Sequence, residues 1–134
     1  MKTLTQRIKY LEKPATRDEK EVASLLERLV EVTECGNVTD LSFIFADAAK
    51  IVESDDGQPP LTKQVYIAQA AERLHVIRRV YFTDVLIRVI GDNAKIFSVR
   101  NVLFRNTSLP VSHKRLLTCR KDVDRWLIWS ASPM

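Results

Sequence analysis

The stretch Val85-Leu86-Ile87-Arg88-Val89-Ile90-Gly91-Asp92-Asn93-Ala94-Lys95-Ile96-Phe97-Ser98-Val99 decides the fold. Its β-branched residues and its glycine-centred gap suit two strands joined by a tight turn. The runs on either side lack strict alternation, however, and Gly91-Asp92 equally supplies a helix stop followed by an N-cap. Ala94, Phe97, Asn101 and Phe104 fall on one helical face, with Ile96, Val99 and Leu103 beside them. The expectation is therefore two buried helices, about Ile77–Ile90 and Asn93–Arg105. A hairpin over residues 85–99, within an α+β fold, is the alternative.

Helical spacing runs outward from this stretch in both directions. Toward the N-terminus, Leu61 opens a segment with Val65, Ala68, Ala71 and Leu74 in register. The run Ser54-Asp55-Asp56-Gly57-Gln58-Pro59-Pro60 reads as a surface loop, since glycine and proline are poor inside either regular element. Before it, Leu41, Ile44, Phe45, Ala48, Ile51 and Val52 hold a helical stripe behind Thr39 or Asp40 as N-cap. Earlier still, Thr16 and Glu19 form a capping box, followed by the stripe Val22, Leu25, Leu26, Leu29, Val32 and a C-terminal Gly36. That predicts a helix from Arg17 to about Glu34. Leu4, Ile8 and Leu11 predict a short amphipathic helix within residues 1–14, ended by Pro14. Toward the C-terminus, Ser112 caps a last helix carrying Leu116, Cys119, Val123, Trp126 and Leu127. The fold predicted is all-α: a single domain over residues 1–134, built as a bundle or short array of about six antiparallel helices.

Composition bounds what such a domain can do. The chain has 134 residues, 46% apolar and 28% charged, which is globular and argues against wholesale disorder. No apolar run reaches the roughly 18 residues of a membrane span, and no signal-peptide core is present. The two cysteines, Cys35 and Cys119, are far apart and outside any CxxC. They read as free thiols in a reducing cytoplasm. No HExxH, GxSxG or glycine-rich phosphate loop occurs. His75 and His113 are the only histidines, and no tuned acid–base pair accompanies them. The expectation is a non-enzymatic protein that needs no metal or cofactor.

Charge is the most informative feature. Residues 1–61 carry eight Lys and Arg against twelve Asp and Glu, whereas residues 62–134 carry thirteen against five. Nine of those thirteen are arginine, the residue that pairs bidentately with phosphate and carboxylate. Arg78, Arg79, Arg88, Arg100, Arg105, Arg115, Arg120 and Arg125 are the candidate binding residues. One reading makes them solvated helix faces that meet a protein partner. The other makes them a nucleic-acid surface. Trp126, Leu127 and Trp129 sit at the end of the predicted last helix, with little chain after them to cover them. They are the candidate interface for a protein partner or self-association.

The segments Glu21-Val22-Ala23-Ser24-Leu25-Leu26, Leu74-His75-Val76-Ile77-Arg78-Arg79 and Ala94-Lys95-Ile96-Phe97-Ser98-Val99 resemble the C-terminal helical part of an uncharacterised actinobacterial family, domain of unknown function 4192. The resemblance spans roughly residues 17–130. This chain is poorer than that family in alanine, tryptophan and proline, and lacks its longer N-terminal portion. What the resemblance implies is a helical fold, a bacterial cytoplasmic setting and no known reaction. The functional expectation is a protein-interaction or regulatory module, with nucleic-acid binding through the arginines as the alternative.

Overall fold

Residues 77–90 and 93–104 are strands in the computed structural model, which describes residues 7–53 and 57–134. In chain order the elements are β1 (Ile8–Tyr10), α1 (Arg17–Glu34), α2 (Val38–Ser42), β2 (Phe45–Ile51), β3 (Leu61–Thr62), α3 (Lys63–Arg73), a 3-10 turn at Leu74–Val76, β4 (Ile77–Ile90), β5 (Asn93–Phe104), β6 (Val111–Asp122) and β7 (Arg125–Pro133). The strands form one mixed sheet in the order β1-β4-β5-β6-β7-β2-β3. Its centre is an antiparallel meander, while β1 joins β4, and β2 joins β7, in parallel.

The all-α bundle is thus replaced by an α+β fold dominated by a sheet, and the helical fold implied by the resemblance goes with it. The hairpin alternative over residues 85–99 is what forms, and it extends along β4 and β5. Ile90 pairs with Asn93 around Gly91, whose φ of +59° is the conformation wanted at the first central position of a two-residue hairpin turn. Two things disguised these strands as helices. First, the outward positions of the meander are themselves apolar at Leu86, Phe97, Val99, Leu103 and Leu116, which erases the alternation of a half-buried strand. Second, a bulge between Thr83 and Leu86, with Asp84 at φ +53°, shifts the phase of β4 midway.

The last predicted helix is likewise a hairpin, β6–β7, turning at Val123-Asp124. Val123 has φ +61° and is 94% exposed, so a β-branched residue occupies a position where glycine would have announced the turn. The stripe from Leu41 to Val52 divides into the short α2 and the strand β2. Ile8–Tyr10 is a strand in place of the predicted N-terminal helix, and residues 1–6 lie outside the described residues. Of the predicted loop, residues 57–60 are exposed and irregular, and residues 54–56 lie outside the described residues.

Two helices follow the sequence reading. The α1 capping box forms: the Glu19 amide donates to Thr16 Oγ1 at 3.1 Å, and Glu19 Oε1 accepts from the Thr16 amide at 2.9 Å. α3 is capped by Thr62, whose hydroxyl oxygen accepts from the Val65 amide. α1 packs on β4 and α3 on β2. Between helices and sheet lies the core, with Val22, Leu26, Val30, Leu41, Ile44, Val85, Ile96, Cys119 and Ile128 almost wholly removed from water. Burying a side chain of this size contributes about 1.5–3 kcal/mol relative to leaving it in solvent. No helix among the described residues is long and apolar enough to cross a membrane.

Candidate functional site

The sheet sorts the arginines that the sequence groups together. Along β5 the inward positions are Ala94, Ile96, Ser98, Arg100 and Val102, and the register places Arg115 of β6 across from Ser98. Arg100 and Arg115 therefore both enter the space between helices and sheet. There they line a cavity of about 30 Å³ together with Tyr66 of α3 and an otherwise apolar wall that includes Leu29, Phe45 and Phe82. Such a volume holds about one water or the head of a small group.

Arg115 is only 3% exposed, and no carboxylate lies within ion-pair distance of it among the described residues. Its Nη1 donates to the backbone oxygens of Val52 at 2.8 Å and Glu53 at 3.5 Å. Burial, and then the neighbouring Arg100, push the guanidinium down to about 10, while Glu53 and Tyr66 act in the opposite direction. Arg100 is half-buried, and its Nε is wholly covered with no hydrogen-bond partner. Burial also raises the Tyr66 phenol, helped by the charge of Glu53 and opposed by Arg100, Arg115 and Arg73. These groups sense one another, so the site is two cations and a protonated phenol in an apolar wall, balanced in part by Glu53. Burying charge without a close counter-charge is expensive, and a small anion placed between the guanidinium groups relieves that cost.

An open groove of about 510 Å³ adjoins this region. Val52 and Glu53, whose carbonyls accept from Arg115, line it with Pro59, Pro60, Val65 and Arg73. Among the described residues no three metal-ligating side chains cluster together.

The remaining candidates are dispersed. Arg79 is half-buried on the outer side of β4, Arg78 is exposed on the opposite side, and Arg88 is exposed 3.1 Å from Glu12. Arg105 follows β5 and donates from Nε to the His75 carbonyl at 2.8 Å. Arg120 lies 4.4 Å over the Trp129 ring, and Arg125 is exposed at the β6–β7 turn. Trp126 and Leu127 are 5% and 7% exposed and belong to this chain's own core, which leaves Trp129, half-buried, on the surface. His75 and His113 are exposed. Tyr66 escaped the sequence reading. It precedes Ile67 in an ordinary helix, and only the sheet's register shows that it faces two arginines.

No family model and no curated protein matches the chain. Solved structures do. A protein of the NTF2-like family from Streptomyces avermitilis, proposed to be a dehydratase, superimposes with a TM-score of 0.68 at 26% identity, covering 87% of this chain and 96% of that one. An NTF2-like protein from Cytophaga hutchinsonii gives 0.73 at 17% identity, covering 88% and 97%. A protein from Xanthomonas campestris, proposed to be a calcium/calmodulin-dependent protein kinase II association domain, gives 0.74 at 16% identity, covering 94% of each chain. The fold is NTF2-like, and the all-α assignment is overturned by this similarity as well as by the strands themselves.

Proposed function

We propose that this NTF2-like chain is a binding module for a small anionic molecule of the carboxylate class, whose charged head sits between Arg100 and Arg115. The observation that carries the reading is Arg115: a residue 3% exposed, donating to the backbone carbonyls of Val52 and Glu53, with Arg100 as a like-charged neighbour and no carboxylate within ion-pair distance among the described residues. Arginine's planar fork fits a carboxylate bidentately. The Tyr66 hydroxyl adds a neutral donor, because its raised pKa keeps the proton in place. The cavity has room for a small head group only.

The reading is one of binding rather than turnover. The dehydratase reaction proposed for the Streptomyces protein needs a base to remove a proton and an acid to release hydroxide. Here the cavity's ionisable groups are two arginines and a tyrosine, a set that offers an acid and charge stabilisation but no base at neutral pH. This keeps the regulatory role expected from the sequence and assigns it a small-molecule ligand.

Thermal melts and calorimetry in chloride-free buffer test it, using acetate, larger monocarboxylates, phosphate and a neutral amide analogue. Carboxylates are expected to raise the melting temperature with saturation, and the amide to do nothing. Arg100→Met and Arg115→Met are each expected to abolish the shift while remaining folded. If no anion stabilises the wild-type protein, or if the variants respond as it does, the reading fails.

A further inference from the structure

The edge of β7 is covered for only part of its length. β2 pairs with it from Ile128 onward, where the Ile128 amide donates to the Ile44 carbonyl at 2.9 Å. Pairing does not extend further back because α2 claims the preceding residues: the Phe43 and Ile44 amides donate to the Asp40 and Leu41 carbonyls. Residues 125–127 therefore have β6 on one side and no strand on the other. Opposite Trp126 on β6 stands Lys121, whose amide donates away from β7, to the Asp92 carbonyl at 2.8 Å. Lys121 and Trp126 are thus a pair that exchanges no hydrogen bonds. The Trp126 N–H and C=O point away from β6, as those of Ile128 do two residues on. Among the described residues neither group has a partner, and the Trp126 indole Nε1 has none either.

Trp126 lines a groove of about 470 Å³ between α1 and the α2–β2 connection. Glu21, Ser24, Leu25 and Arg28, at i, i+3, i+4 and i+7, are one face of α1 and line it too. Its apolar members run from covered to open: Leu127 is 7% exposed, Leu25 is half-buried and Phe43 is 56% exposed. Its charges are uneven. Arg28 and Arg125 are exposed and have no ion-pair partner among the described residues. Of its two carboxylates, Glu21 is met by Lys121 at 3.8 Å, which leaves Asp124 alone unpaired. α1 lies on the inner side of the sheet, so the groove is reached whatever covers the outer face. It shares no lining residue with the buried anion cavity.

We propose that this groove binds an extended acidic–apolar peptide segment of another protein. One peptide residue exchanges two main-chain hydrogen bonds with Trp126, an apolar side chain beside it packs on Leu25 and Phe43, and a carboxylate meets Arg28 or Arg125. Adding a short strand supplies what the edge lacks, a peptide's own N–H and C=O, while the side chains set specificity. Main-chain groups left unpaired away from water are costly, and Trp126 is only 5% exposed. A small apolar molecule fills the space but leaves those groups as they are. A second copy offers its own residues 125–127 only from within the same recess, flanked by α1 and Phe43, so two such edges do not reach each other.

Fluorescence anisotropy tests it with labelled heptapeptides in a Ser/Thr background, carrying Leu, Ile, Val or Phe at the centre and Asp or Glu on either side. At least one is expected to bind saturably. N-methylation scanned along that peptide is expected to weaken it roughly tenfold at one position, where two main-chain bonds are lost. Phe43→Ser is expected to weaken binding about fivefold or more, through lost apolar contact. Arg28→Glu, or Lys in place of the peptide's acid, is expected to weaken it about threefold to fivefold. Trp129→Phe leaves Trp126 as the sole tryptophan, and its emission is expected to change as the peptide binds. Arg100→Met is expected to bind as wild type, so this groove and the anion site fail separately. Thermal melts confirm that each variant is folded. No peptide bound at about 1 mM overturns the proposal. So does binding indifferent to N-methylation at every position, or to both Phe43→Ser and Arg28→Glu. A sedimentation mass of the unliganded protein that Phe43→Ser alters overturns it as well, and would mark the groove as a contact between copies.

Discussion

Arg115 and Arg120 lie five residues apart on β6 and are chemically identical, yet the sheet makes them different objects. Arg115 faces the helices, is 3% exposed and gives up part of its proton affinity to desolvation. Arg120 faces away, is exposed, and rests 4.4 Å over the Trp129 ring. A charge on the outer face costs little because water still reaches it. A charge on the inner face is tolerated only if something repays its lost hydration. Net charge along the chain cannot separate these cases. The parity of a strand position does.

The largest expected difference between the faces is in packing. Ile96 and Phe97 are neighbours on β5, one fully buried and one half-buried. Ile96→Ala is expected to cost about 2–5 kcal/mol of unfolding free energy, through lost burial and the cavity left behind. Phe97→Ala is expected to cost about 1 kcal/mol or less, as an outward substitution. Urea titrations compare them directly. Equal losses would mean that the outer face is covered in solution by a second copy.

A smaller effect sharpens the comparison between the arginines. Arg115→Met removes a buried cation, and its unfolding free energy without ligand is expected to be unchanged or higher by about 1 kcal/mol, as for other buried charges replaced by apolar groups. Arg120→Met gives up a cation–π contact and is expected to lose about 0.5–1 kcal/mol. A strongly destabilised Arg115→Met protein would show that the bonds to the Val52 and Glu53 carbonyls outweigh desolvation, and the buried arginine would then be explained as structure.

Legibility in the sequence followed the range of the signal. α1 was readable because a capping box, an apolar stripe and a C-terminal glycine all lie within it or within two residues of its ends. α3 was readable as a helix but not its inner side: Val65, Ala68 and Ala71 of the stripe are exposed, and Tyr66, Ile67 and Ala70 face inward with Leu74. The sheet was hidden because its evidence is spread between strands: apolar outward residues at Phe97 and Val99 imitate a helical stripe, and Val123 conceals a turn that Gly91 reveals. The candidate site suffered most. Arg100 and Arg115 were both visible as cations, but Ser98 opposite Arg115 is a fact of register, and Tyr66 reaches them from an element separated by more of the chain. The tryptophan pair shows the reverse error. Trp126 and Trp129 at i and i+3 share a helical face, whereas on β7 the first is buried and the second borders solvent.

The inner face penalises charge of either sign, and alkaline pH exposes this. Cys119 lies inward beside Ala94, and burial pushes its thiol up to about 12 from an ordinary 9.0, while Cys35 is exposed. Because the folded thiol holds its proton longer than the unfolded one, unfolding releases a proton above pH 9, and stability must fall as pH rises from there toward 12. Tyr10 joins above pH 10, its phenol raised to about 12 by burial and by Glu27. Arg115 works in the opposite direction above pH 10, since its folded form loses the proton first. Between pH 8.5 and 10 the thiol therefore dominates among these three groups, and urea midpoints there are expected to decline less steeply in Cys119→Ala than in wild type. In native protein a disulfide-exchange reagent is expected to modify one thiol promptly, Cys35, and the second only on unfolding. Prompt reaction of both would mean that the inner face opens to water on the reagent's timescale, and the desolvation that distinguishes Arg115 from Arg120 would lose its basis.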